Sequence, residues 1–184
     1  PKLFVPVSLP LVLIVDDNPE NLTVIGALLQ PMHAVRAANS GRRALQLARL
    51  TPQPDLILLD VMMPEMDGYE VLRVLRASAE TASIPVVFLT ALNGSEDEER
   101  GLMLGAADYI TKPIRPQVLL ARVHVQLVQK QARDGMQQRL TRLEAQLAQA
   151  HARCQHLEAQ ALRTATAWPA DDSAATALTV HKPA

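Results

Sequence analysis

The chain has 184 residues, 48% apolar and 20% charged, with 18 Lys and Arg against 19 Asp and Glu. That length fits one globular domain with room for an appendage, and a formal net charge of -1 removes the electrostatic case for nucleic acid, which selects a basic face. The single Cys154 excludes a disulfide framework within one chain and fits a reducing compartment.

The apolar opening from Leu3 to Val15 could pass for a signal peptide. It contains Pro6 and Pro10, lacks a small-residue cleavage site and runs straight into Asp16-Asp17. No stretch of about 18 apolar residues occurs elsewhere, so no membrane span is expected. The chain reads as cytoplasmic, with residues 1–10 as an N-terminal extension.

Next, two kinds of segment alternate. Leu11-Val15, Asp55-Leu59 and Ile84-Leu89 are short, nearly continuous apolar runs, the pattern of strands buried on both faces. His33-Ala37 and Ala107-Ile110 are weaker and suit edge strands. Helical segments are expected at about Pro19-Gln30, Ser40-Leu50, Asp67-Ala77, Gly94-Leu104 and from Pro116 onward. Asn18 before Pro19 has the chemistry of a helix cap, and Gly105 stands where a helix ends in a left-handed residue. Five strands alternating with helices predict an α/β fold with a doubly wound parallel sheet, of flavodoxin-like order 2-1-3-4-5.

In such a sheet, ligands bind beyond the carboxyl ends of the strands. The polar residues there are Asp16 and Asp17 after strand one, Asp60 after strand three, Thr90 after strand four and Lys112 past strand five. Three carboxylates close together repel, and a hard divalent cation such as Mg²⁺ resolves the conflict through oxygen ligands. Lys112 and Thr90 can donate to phosphoryl oxygens. The central Asp60 can act as the nucleophile that becomes an aspartyl phosphate.

The segments LIVDDNPENL (13–22), DLILLDVMMPEMDGYEVL (55–72), PVVFLTA (85–91) and GAADYITKP (105–113) together resemble the receiver domain of two-component response regulators, the CheY-like family. The resemblance covers nearly all of 11–125. It implies Asp60 as phosphoacceptor, Asp16 and Asp17 as the acid pair with Asp17 directly on Mg²⁺, and the Met62 carbonyl as a further metal ligand. It further implies Thr90 and Lys112 as phosphoryl ligands, a cis Lys112-Pro113 peptide, Tyr109 as a switch residue and Pro64 and Gly68 as shapers of the loop after Asp60. Packing against the last helix explains Tyr109 equally well. Met62 is apolar where many receivers carry a polar residue, which bears on the access of attacking water. Haloacid dehalogenase-type phosphatases also use an Asp nucleophile with Mg²⁺, but they need a second Asp where this chain has Met62. On the resemblance the chain is a signalling switch rather than an enzyme, with a sensor histidine kinase as donor.

Composition shifts near residue 130, where most prolines and glycines lie behind. The expected domains are a receiver over 11–130, a coiled-coil helix over 131–163 and a disordered tail over 164–184. Met136, Leu140, Leu143, Leu147, Ala150, Cys154, Leu157 and Ala161 follow alternating steps of four and three, an a/d heptad seam. A parallel homodimer through 136–161 pairs Arg139 with Glu144 and Arg153 with Glu158 of the second chain. Asp134-Gly135 reads as a hinge, because Gly disfavours helix interiors. His151 and His156 lack a phosphoacceptor motif. Two outputs stay open: an interaction protein, or the N-terminal regulatory part of a longer regulator with an enzymatic output such as cyclic-di-GMP turnover.

Overall fold

The computed structural model describes residues 9–91 and 103–166, apart from the side chains of 164–166. The expected extension and tail, and most of the helix expected over 94–104, lie outside those residues. The chain divides into two compact units, one ending at Gly135 and the other beginning at Met136.

In the first unit, five strands form one parallel sheet in the order β2-β1-β3-β4-β5, as expected. They are β1 (Leu11–Val15), β2 (Ala34–Ala38), β3 (Leu56–Asp60), β4 (Val86–Thr90) and β5 (Asp108–Thr111). Period-two alternation sends neighbouring strand residues to opposite cores. Leu13, Val15, Ile57, Leu59, Val86 and Phe88 face α2 (Gly41–Ala48) and α3 (Gly68–Ala77). Val12, Ile14, Leu56, Leu58, Val87 and Leu89 face α1 (Pro19–Leu29) and the start of α4 (Pro116–Thr166), through Leu119, Val123 and Leu127.

Local chemistry explains where helices start. Asn18 caps α1 by accepting from the Glu20 amide at 2.9 Å, with Pro19 at the first position. Asp67 and Glu70 form a reciprocal capping box at α3, at 2.7 and 3.1 Å. Gly105 has φ +89°, as a left-handed residue requires.

Strand ends differ from the apolar runs. β3 includes Asp60 and β4 includes Thr90, because the ladder continues one polar residue further: Asp60 pairs with Leu89 and Thr90 with Thr111. β4 begins at Val86 because the Ile84 amide is used in a turn to Thr81 and Pro85 has none. Asp55 precedes β3, and its carboxylate accepts from the Leu11 amide at 2.8 Å.

The helix α4 takes in Asp134-Gly135 as helical residues, and the chain divides into its two units directly after Gly135. One glycine costs only about 1 kcal/mol in a helix, which neighbouring helix formers offset. Tyr109 packs not on the last helix but on the α2/α3 core, since its neighbour Ile110 takes the α4 face. No described helix is long and apolar enough to cross a membrane.

Candidate functional site

Sheet register brings the predicted polar residues together. Val15 pairs with Leu59, so Asp16 and Asp60 emerge side by side one residue later. On the other flank, the Lys112 amide donates to the Thr90 carbonyl at 2.7 Å, carrying the β4–β5 ladder past the end of β5. The Lys112-Pro113 peptide is cis, as the resemblance implied.

The Lys112 ammonium closes the cluster. Its Nζ lies 2.9 Å from Asp16 Oδ2 and 3.0 Å from Asp60 Oδ2. Asp16, Asp60 and Thr90 are buried, while Asp17 is exposed at the rim. Burial pushes the Asp60 carboxyl up from its ordinary range, with Asp16 adding to the rise and Lys112 opposing it. Burial works against the Lys112 ammonium too, but the hydrogen bonds to Asp16 and Asp60 outweigh it and push Lys112 up.

Sequence reasoning missed Asn21. Its side-chain amide donates to both oxygens of Asp16 at 3.0 Å, and the Asn18 amide reaches Asp16 Oδ1 at 2.9 Å. Asp16 is thereby oriented by α1. The available signal was a second polar residue, beside Glu20, in the first turn of a helix directly after the acid pair. The Met62 amide donates to Asp60 Oδ1 at 3.3 Å, while the Met62 side chain is 62% exposed beside the site.

Carboxylate oxygens of Asp16, Asp17 and Asp60 all lie within 4.8 Å of one another. Hard oxygen donors at that spacing, two of them buried beside a single ammonium, fit a small divalent cation such as Mg²⁺. Tyr109 stands in register with Phe88 on the core side, and Pro64 and Gly68 lie in the segment following Asp60.

The model of the response regulator receiver domain matches residues 12–124. The chain belongs to this family. It is 43% identical over 123 residues to a probable cyclic di-GMP phosphodiesterase of Vibrio cholerae, covering 67% of this chain and 28% of the relative. It is also 43% identical over 129 residues to the response regulator PleD of Caulobacter vibrioides, covering 70% of this chain and again 28% of the relative. The match therefore spans little more than a quarter of the length of these curated relatives. Among solved structures, the receiver domain of Francisella response regulator 1452 superposes with a TM-score of 0.61 at 33% identity, over 65% of this chain and 98% of that one. The receiver signature thus sits on the CheY-like flavodoxin fold described above.

Proposed function

We propose that this receiver accepts a phosphoryl group on the Asp60 carboxylate from the phosphohistidine of a sensor histidine kinase. The observation that carries the reading is the Lys112 ammonium within 3.0 Å of both Asp16 and Asp60, two members of a three-carboxylate cluster. An Asp60 oxygen attacks phosphorus, the phosphorus–nitrogen bond breaks, and the released imidazole nitrogen keeps the electron pair and takes a proton from water. Lys112 then neutralises phosphoryl oxygens, and the Thr90 hydroxyl donates to another. Asp16, Asp17, Asp60 and the Met62 carbonyl would hold Mg²⁺, which when bound supplies further positive charge to the phosphoryl oxygens. The exposed thioether of Met62 cannot orient a hydrolytic water as a polar side chain can.

Recruitment of Thr90 toward the phosphoryl group, with Tyr109 following, biases the surface around β5 and α4. The receiver is a signalling switch that catalyses only its own phosphorylation and dephosphorylation, in the cytoplasm and without direct nucleic-acid contact. Its 136–161 seam forms a parallel homodimer. A second reading is favoured by the quarter-length match to both relatives. In it, receiver and helix are the regulatory N-terminal part of a longer regulator whose output domain turns over cyclic di-GMP. The reading frame beyond Ala184 distinguishes the two.

The primary test is intact mass after incubation with acetyl phosphate and Mg²⁺. One phosphoryl group should be gained, and none by Asp60→Asn or without metal. A folded, Mg²⁺-binding protein that gains nothing overturns the phosphoacceptor reading.

A further inference from the structure

Of the six methionines in the chain, one stands at the candidate phosphoacceptor. Val61 and Met63 are buried on either side of Met62, which is itself 62% exposed. The root of its side chain is fixed. The Met62 amide donates to Asp60 Oδ1 at 3.3 Å, and the preceding Val61 amide continues the sheet by donating to the Leu89 carbonyl at 3.1 Å. A thioether is thereby held in solvent beside the buried Asp60 carboxylate. The other methionines lack one of these two properties. Met63 is buried and Met66 packs on the α2/α3 core. Met32 and Met103 are exposed, but they precede β2 and β5, at the opposite end of the sheet from Asp60. Met136 is exposed in the second unit.

We infer that Met62 is a redox modification site, at which oxidation of the thioether to the sulfoxide by a hydroperoxide shortens the life of a phosphoryl group on Asp60. The inference rests on the phosphoacceptor reading above and adds a form of regulation to it. One exposed apolar side chain is ordinary in itself. The specific feature is chemical: a methionine becomes polar by gaining one oxygen and is returned to the thioether by enzymatic reduction. Met62 belongs to neither core, so the added oxygen leaves the packing of the sheet intact, whereas the same change at Met63 would disrupt it.

The oxidation needs only hydrogen peroxide. The Met62 sulfur lone pair attacks one peroxide oxygen, the sulfur–oxygen bond forms and the oxygen–oxygen bond breaks. Sulfur is oxidised to the sulfoxide, and the departing hydroxide takes the remaining proton and leaves as water. The sulfoxide oxygen accepts hydrogen bonds strongly, where the thioether sulfur is a weak acceptor. It can therefore hold a water that approaches phosphorus. The water oxygen attacks, the bond between phosphorus and the Asp60 oxygen breaks, the carboxylate keeps the electron pair, and the proton of the water passes to solvent. One net hydrogen bond gained in that step corresponds to about fivefold in rate.

The test uses the full chain in a Cys154→Ala background, which removes the exposed thiol. The protein is treated with hydrogen peroxide, freed of it and phosphorylated with acetyl phosphate and Mg²⁺. Peptide masses report oxidation at Met62, and intact mass follows loss of the phosphoryl group once the donor is removed. Oxidised protein should lose it about fivefold faster than untreated protein. The two methionine sulfoxide reductases, one for each epimer, should restore the slower rate. In Met62→Leu, peroxide should leave the decay rate where it was, although Met32, Met103 and Met136 still oxidise. Oxidised Met62 with unchanged decay, or equal acceleration in Met62→Leu, overturns the inference and leaves the phosphoacceptor reading standing. So does a Met62 that stays reduced while Met32 is oxidised. Untreated protein that gains no phosphoryl group overturns both.

Discussion

Gly68 lies directly against the Asp60 backbone: a Cβ at Gly68 would fall 2.4 Å from the Asp60 carbonyl oxygen and 2.9 Å from Val61 Cα. Both clashes are with main chain, which cannot swing aside, and the Gly68 amide also donates to the Val61 carbonyl at 3.0 Å. The start of α3 is thus pressed onto the peptide that carries the nucleophile. Gly68→Ala should lower unfolding free energy by about 1–3 kcal/mol, as overpacking does. It should also slow phosphorylation by acetyl phosphate. Urea unfolding and a time course of intact mass check the two effects separately.

Asn21 holds Asp16 in place through both carboxylate oxygens. Removing a group that orients a metal ligand costs roughly 10–100-fold in metal affinity. Asn21→Ala should therefore weaken Mg²⁺ binding by at least about tenfold, measured by calorimetric titration. Unchanged affinity would show that Asn18 and Lys112 alone orient Asp16.

Lys130 pairs with Asp134 at 2.5 Å and with Asp55 at 3.4 Å, tying α4 to the segment that leads into β3. Burial works against its charge, but the Asp134 and Asp55 partners outweigh it and raise its pKa above the ordinary 10.5. A raised lysine stabilises the fold fully below its unfolded pKa and loses that contribution as pH climbs through the folded value. Lys130→Met should therefore cost about 1 kcal/mol near pH 7. The gap to wild type should close only above about pH 10.5 and narrow in high salt. Urea midpoints at several pH values and salt concentrations measure it.

In a parallel, in-register coiled coil an a position meets itself across the seam. Cys154 occupies one and is exposed in the single chain. Mild oxidation should convert the wild type to a disulfide-linked dimer, and Leu143→Glu should prevent it. An antiparallel pairing would leave Cys154 without its counterpart and give no cross-link above random collision.

The strands and their order were legible because parallel strands buried on both faces must be continuous apolar runs, as in Leu11–Val15 and Leu56–Leu59. The same logic stopped one residue early at Asp60 and Thr90. Hydrophobicity marks burial, whereas the ladder is made by backbone groups indifferent to side-chain polarity. The clustering of Asp16, Asp17, Asp60 and Lys112 was also legible, since strand ends in this topology face one crevice, and Thr90 stands at the end of β4. Asn21 was not, because a helix-start asparagine has an ordinary capping role and only the turn from Asp16 into α1 directs it at the carboxylate.

The linear pattern by itself determined the layering of the sheet, the polar strand ends and the heptad spacing of the C-terminal helix. These follow from periodicity and from what each residue type can bury. Only the tertiary structure decided that Lys112 bridges Asp16 and Asp60 within 3.0 Å, that Gly68 abuts the Asp60 carbonyl, and that Tyr109 faces the α2/α3 core. Each depends on which segments the sheet register brings level across tens of residues of chain. Periodicity is local, and such distances are set by the packing of the whole sheet.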